Sequence, residues 1–165
     1  ENILSKIGLK SLTNNYQSYT PDTNRTLFDF GKNNKIKILP LICYEIIYSG
    51  NLSKDNDYNF IVNISEDGWF GESIGPHQHF AHSIFRSVEY GKYTLRSSNN
   101  GISAIIDPSG SIINKININK EGVISIKEIV SLDKTFFSIY GNKIYFFIIL
   151  LYIFLIFSFK KMENE

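Results

Sequence analysis

The sequence predicts a layered α/β domain followed by one transmembrane helix. Three observations carry this. Short apolar runs bounded by turn residues recur through residues 35–130, as buried strands do. Between two of them Phe80, Ile84 and Val88 recur every four residues, with Ala81 and Phe85 beside them, as on one face of a helix. At the far end, residues 144–159 carry no charge. At ~1.5 Å per residue that stretch alone reaches roughly 24 Å.

The elements follow in order. Residues 2–34 are polar, with Asn14-Asn15 and Thr20-Pro21-Asp22, and read mostly as loop. Residues 35–42 read as a buried strand, and residues 48–57 as a short helix and a loop. Residues 58–64 form a second buried strand, after which Gly68 and Gly71 bracket Trp69-Phe70 in a loop. A helix is predicted over residues 76–90, ended by Gly91. Residues 93–96 lead into a Ser-Ser-Asn-Asn-Gly turn, and residues 102–107 form the next strand. Asp107-Pro108-Ser109-Gly110 turns that strand into a hairpin with residues 111–118. Residues 122–130 read as one more strand. The body is thus assigned to residues 1–135 and a membrane helix to 136–160, the weakly polar 136–142 stretch bringing the span close to the ~30 Å hydrocarbon core. Lys143 can snorkel at its start, Lys160 and Lys161 stop it, and Tyr140 and Tyr145 suit an interface. Two lysines after the span against one before it favour a cytoplasmic tail, residues 161–165, with the body on the outer face.

Composition narrows the function. The 165 residues are 43% hydrophobic with a net charge of +1, and no basic stripe appears. Nucleic acid is therefore not an expected partner. One cysteine excludes an internal disulfide. The chain begins with Glu1, and its only methionine is Met162, so it is expected to be a processed chain or a piece of a longer one.

Polar residues gather in three loops that follow strands: Cys43-Tyr44-Glu45, the stretch from Asn63 to Gly71, and the stretch from Arg96 to Gly101. Strand ends are where α/β folds place their sites. A lone cysteine beside an apolar strand is more often inert than catalytic. A reactive thiolate needs a proton acceptor and neighbouring charge. His77, His79 and His82 share one segment, but their spacing is not that of a zinc helix pair, and no metal is expected. They read as solvent-facing residues at a helix start, since nothing local brings them to Cys43. Trp69-Phe70 between glycines reads as a loop that presents apolar surface.

Several segments together resemble the bacterial apolipoprotein N-acyltransferases of the nitrilase, or carbon–nitrogen hydrolase, superfamily. They are Pro40-Leu41-Ile42-Cys43-Tyr44-Glu45, Asn63-Ile64-Ser65 with Asp67 and Trp69-Phe70-Gly71, Ser73-Ile74-Gly75-Pro76-His77-Gln78-His79, and Arg96 with Asn99-Asn100-Gly101-Ile102 and Asp107-Pro108. The resemblance implies the C-terminal part of a nitrilase-like αββα sandwich, with Cys43 as nucleophile of a Cys-Glu-Lys triad. The family's Glu and Lys lie upstream, in segments with no match in residues 1–42, so the chain alone is expected to be inactive. Tyr44 and Glu45 would act beside the nucleophile, and Trp69 and Phe70 would meet the acyl chain or the membrane. The implied reaction moves an acyl group from a membrane phospholipid to Cys43, then to the diacylglyceryl-cysteine of an apolipoprotein, with no cofactor. The implied location is the bacterial inner membrane, with the body on the periplasmic side. After Glu45 the family often has a Phe-Pro-Glu-like sequence, where this chain has Tyr48-Ser49-Gly50. Two other readings are a soluble amidase and a catalytically dead, membrane-tethered binding module. The terminal span argues against the first, and the intact Cys43-Tyr44-Glu45 against the second.

Overall fold

A computed structural model describes residues 25–31, 36–50, 52–53, 57–130 and 132–163. Six strands form one sheet in sequence order: β1 Phe28–Phe30, β2 Ile36–Ile42, β3 Phe60–Glu66, β4 Tyr93–Asn99, β5 Ser103–Ile106 and β6 Ile112–Ile116. β2, β3 and β4 run parallel, while β1 and the β4–β5–β6 hairpins are antiparallel. The crossover from β3 to β4 is helix α1, Gly75–Tyr90, capped by Gly91. The mixed α/β architecture and the Asp107–Gly110 hairpin match the sequence expectation.

α1 covers one face of the sheet. Leu39, Leu41, Ile46, Ile61 and Tyr90 bury one cluster there, and Phe80 packs with Ile102, Ala104 and Ile106. On the opposite face Phe60, Tyr93 and Ile105 are buried, with Ile124 and Ile126 packed on them.

Four expectations need correction. β1 lies in a stretch read as loop; it is only three residues long and gains its place by pairing with β2. A short helix was expected within 48–57; its described residues 48–50, 52–53 and 57 carry none, the rest lie outside the described residues, and a 3-10 turn over Cys43–Ile47 precedes them. Residues 122–130 form no strand. Ile124 and Ile126 pack on the sheet while Val123 is exposed, and the Val130 N–H donates to the Tyr93 hydroxyl at 3.1 Å, so the alternation records packing across a face rather than a ladder. Finally, α1 has the predicted period but a different phase. Phe85 and Val88 are 55% and 46% exposed, whereas His79, Ser83, Arg86 and Ser87 are buried. The sheet beneath offers polar partners, such as Thr94 Oγ1, which accepts from Ser87 Oγ at 2.7 Å.

The expected continuous helix from 136 to 160 is divided. α2 is Phe136–Tyr140, capped by Thr135, whose Oγ1 accepts from the Ser138 N–H at 2.9 Å. α3 is Lys143–Glu163. Between them Gly141 adopts φ 53°, ψ −142°, a conformation open essentially to glycine alone. The 21 residues of α3 extend about 32 Å at helical rise. Its side chains from Tyr145 to Phe157 are exposed apart from Ile149, and it is long and apolar enough to cross a membrane.

Candidate active site

Because β2, β3 and β4 are parallel, their carboxyl ends lie side by side, and the three predicted segments converge there, although Asn63 to Glu66 and Arg96 to Asn99 belong to β3 and β4 rather than to loops. Cys43 follows β2 directly and is half-buried. Its φ is +49°, a left-handed conformation that costs a side-chain-bearing residue of order 1–2 kcal/mol and must be held by its surroundings. Asn63 Nδ2 donates to the Leu41 and Cys43 carbonyls at 3.0 and 3.2 Å. His79 Nε2 lies 3.3 Å from the Cys43 carbonyl. On the amino side the Ile42 N–H donates to Glu45 Oε2 at 2.7 Å, and Arg25 pairs with Glu45 Oε1 at 3.7 Å. The Glu45 carboxylate therefore ties down the turn that carries the thiol. Ser65 Oγ lies 3.7 Å from the thiol Sγ.

Beneath this turn lies a buried charge network. Asp67, His79 and Arg96 are each at most 3% exposed. Asp67 Oδ1 accepts from Ser65 Oγ at 2.7 Å and from His79 Nδ1 at 2.8 Å. Arg96 Nη2 donates to Asp67 Oδ2 at 2.7 Å, its Nη1 donates to Asn63 Oδ1, and its Nε donates to the Ile102 carbonyl at 3.2 Å. The strand register places these groups together: Asn63 pairs with Arg96 across β3 and β4, and Ser65 shares the face of Asn63 two residues on. Gly101 lets the third loop close over the carboxylate, because a Cβ there would fall 2.1 Å from Asp67 Oδ2.

Burial alone would raise the Asp67 carboxyl, but hydrogen bonds from His79 and Ser65 and the Arg96 charge outweigh it and hold it well below its ordinary 3.8. Burial lowers Arg96, and the Asp67 charge opposes that. A depressed carboxyl contributes stability that is complete above its unfolded value and lost as pH falls toward the folded one. The urea midpoint of the chain in detergent should therefore drop progressively below about pH 4. Asp67→Asn should flatten most of that acid limb; an unchanged limb in the variant would remove Asp67 from it.

At the mouth of the site Tyr44 lies 5.2 Å from the His79 ring and 6.4 Å from the Phe70 ring, and Phe70 lies 5.6 Å from His79. Phe70 is half-buried, while Trp69 is 88% exposed. The structure thus gathers Cys43, Tyr44 and Phe70, turns Glu45 to the backbone and leaves Trp69 at the surface. His77 is exposed as expected, but His79 is not solvent-facing: it is the buried link between the Cys43 carbonyl and Asp67. Among the described residues no group of three or more His, Cys, Asp or Glu is placed to hold a metal ion. Asn63, Ser65, Asp67 and Arg96 lie in the stretches expected to carry the site and His79 at the expected helix start, but their residue types alone assigned none of them a role there. The alternation Asn63-x-Ser65 on an otherwise apolar strand was the available signal.

A family model described as carbon-nitrogen hydrolase matches residues 10–131. Among curated proteins the chain is similar to the apolipoprotein N-acyltransferase of Allorhizobium ampelinum, 37% identical over 124 residues, which cover 74% of this chain and 23% of that protein. The apolipoprotein N-acyltransferase of Rickettsia bellii is 42% identical over 147 residues, 88% of this chain and 29% of that protein. The chain therefore spans about a quarter of the length of these relatives. Among solved structures, a variant of the amidase from Nesterenkonia sp. AN1 aligns with a TM-score of 0.45 and 13% identity, over 61% of this chain and 41% of that one.

Proposed function

The chain belongs to the carbon–nitrogen hydrolase family, and from that premise we propose that it is the Cys43-bearing part of an apolipoprotein N-acyltransferase held in a membrane by α3. The observation that carries the proposal is the setting of Cys43: a half-buried thiol at the carboxyl end of a parallel strand, in a left-handed turn fixed from both sides. The names of the relatives support the choice of reaction, and the exposed apolar length of α3 supports a membrane over a soluble amidase.

The reaction is a two-step acyl transfer. The Cys43 thiolate attacks an ester carbonyl of a membrane phospholipid, and the C–O bond breaks to release a lysophospholipid, whose alkoxide takes up a proton. The thioester then accepts attack by the α-amino group of a diacylglyceryl-cysteine. The amide forms, the C–S bond breaks, and the amine proton returns the thiol. A thioester is a good acyl donor to an amine, which is why the nucleophile is a cysteine. The base and the oxyanion cation are the family's Glu and Lys, supplied from outside the segments matched here. The Tyr44 backbone N–H adds to the oxyanion site, Glu45 sets the turn, and Trp69 and Phe70 meet the acyl chain or the bilayer surface. Residues 1–135 form the catalytic body and the segment within 136–160 the membrane anchor. The residue 161–165 tail faces the cytoplasm, with the body on the outer side of a bacterial inner membrane.

The test is transfer of a labelled acyl chain from phospholipid to a diacylglyceryl lipopeptide. A longer parent protein carrying this sequence is expected to perform it, and the 165-residue chain alone is not. Transfer by the chain alone would refute the missing Glu and Lys, and a parent that forms lipopeptide without an acyl-enzyme would refute the mechanism.

A further inference from the structure

We propose that the Gly141–Asn142 break between α2 and α3 is a positioning device that fixes the height of the Cys43 turn above the membrane. The proposal rests on the reading of Cys43 as nucleophile and of α3 as a membrane span. The turn that carries Cys43 ends at Ile47 and leaves through Tyr48-Ser49-Gly50. This exit is stapled twice to the last turns of α1. Arg86 Nη1 donates to the Ile47 carbonyl at 3.1 Å, and Ser49 Oγ donates to Glu89 Oε1 at 2.9 Å. The same exit is stapled to the first residue before α3, because Asn142 Nδ2 donates to the Ser49 carbonyl at 3.1 Å.

The two backbones also touch. A Cβ on Gly50 would fall 2.6 Å from the Asn142 side chain, and one on Gly141 would fall 2.7 Å from the Gly50 carbonyl oxygen. Thr135 closes the knot from the other side: its Oγ1 donates to the Glu89 carbonyl and accepts from the Ser138 N–H that opens α2. The end of the nucleophile's turn, the last turns of α1 and the entry to α3 therefore meet in one place. α3 begins one residue after Asn142, at Lys143. The thiol-bearing turn cannot rise or sink relative to the first turn of α3 without breaking these contacts. A helix running on from 136 would carry Asn142 off Ser49, and only glycine holds the φ and ψ that prevent it. The chemistry served is that of a reaction whose donor and acceptor are both anchored in a bilayer, so the height of the nucleophile is fixed by the protein rather than by chance encounter.

The experiment uses the chain itself. Trp69 is its only tryptophan and is exposed in the loop beside the site. Energy transfer is measured from Trp69 to dansyl headgroups in phosphatidylethanolamine–phosphatidylglycerol vesicles, together with the rate of Cys43 alkylation. The wild type is expected to give one narrow donor-lifetime component. Gly141→Ala is expected to lose it and give a broad distribution, with Cys43 alkylation unchanged. Should Gly141→Ala disturb alkylation, and hence the body, Asn142→Ala decides, since it removes one exposed hydrogen bond: broadening supports the proposal, and a wild-type distribution overturns it. Wild-type lifetimes in both variants overturn it while leaving the membrane reading intact. No transfer in the wild type overturns the membrane reading, and this proposal with it.

Discussion

Alanine at position 43 is expected to abolish the hydroxylamine-sensitive acyl adduct of the parent protein and to lower its transferase activity on the order of 10⁶-fold, the scale on which removal of a covalent nucleophile acts. The loss should be chemical rather than structural. Cys43 is half-buried, and alanine keeps the bonds from Asn63 Nδ2 to the residue 43 carbonyl and from the Ile42 N–H to the Glu45 carboxylate. It also keeps the left-handed strain at φ +49°, so its urea midpoint should stay near that of the wild type. Cys43→Gly relieves that strain and should be more stable than Cys43→Ala by about 1 kcal/mol. Intact-mass analysis after incubation with phospholipid reads the adduct directly. An adduct of unchanged occupancy on Cys43→Ala would place the acyl group elsewhere.

What the sequence disclosed, and what it hid, follows from the range of the interactions. The Cys43, Asn63–Gly71 and Arg96–Gly101 stretches were legible as strand ends, because an apolar run followed by polar residues is a local pattern, although β3 and β4 run on through Glu66 and Asn99. The parallel register that makes them one site is not local, since nothing within residues 36–42 says which strand lies beside β2. For the same reason the buried face of α1 was misphased. Apolar spacing favoured Phe85 and Val88, but the sheet beneath carries Asn63, Thr94 and Arg96, so the helix turns His79, Ser83 and Ser87 toward it. Apolar periodicity finds an interface only when the partner is apolar. Glu45 shows the converse. Its position two residues after the thiol suggested chemistry, and the structure gives its carboxylate to the Ile42 N–H. The division at Gly141 was hidden as well, because a glycine between apolar stretches is compatible with a continuous helix until a contact such as that with Gly50 fixes its φ.

Arg96→Ala is expected to destabilise the body by about 3–5 kcal/mol, the usual cost of removing one partner of a buried ion pair. That is a large share of a domain's total stability, which is of order 5–15 kcal/mol. The guanidinium is fully buried, and its donors serve Asn63 Oδ1, Asp67 Oδ2 and the Ile102 carbonyl. Truncation leaves the Asp67 carboxylate with only Ser65 and His79 as the side chains that balance it, in a place where water cannot replace the lost donor. Pairing the loss with Asp67→Leu separates charge from volume: Arg96→Met with Asp67→Leu removes the stranded anion and should cost less than the sum of the two single changes. Urea midpoints of the chain in detergent measure both, and a cost below about 1 kcal/mol for Arg96→Ala would put the pair among exposed ion pairs in energy. The effect should also reach the thiol. Arg96 holds Asn63 and Asp67, and Asp67 holds His79; Asn63 and His79 are the two groups that fix the Cys43 carbonyl. Freed from them, the turn relaxes from its left-handed conformation, so the alkylation rate of Cys43 should change in Arg96→Ala under conditions where the variant remains folded.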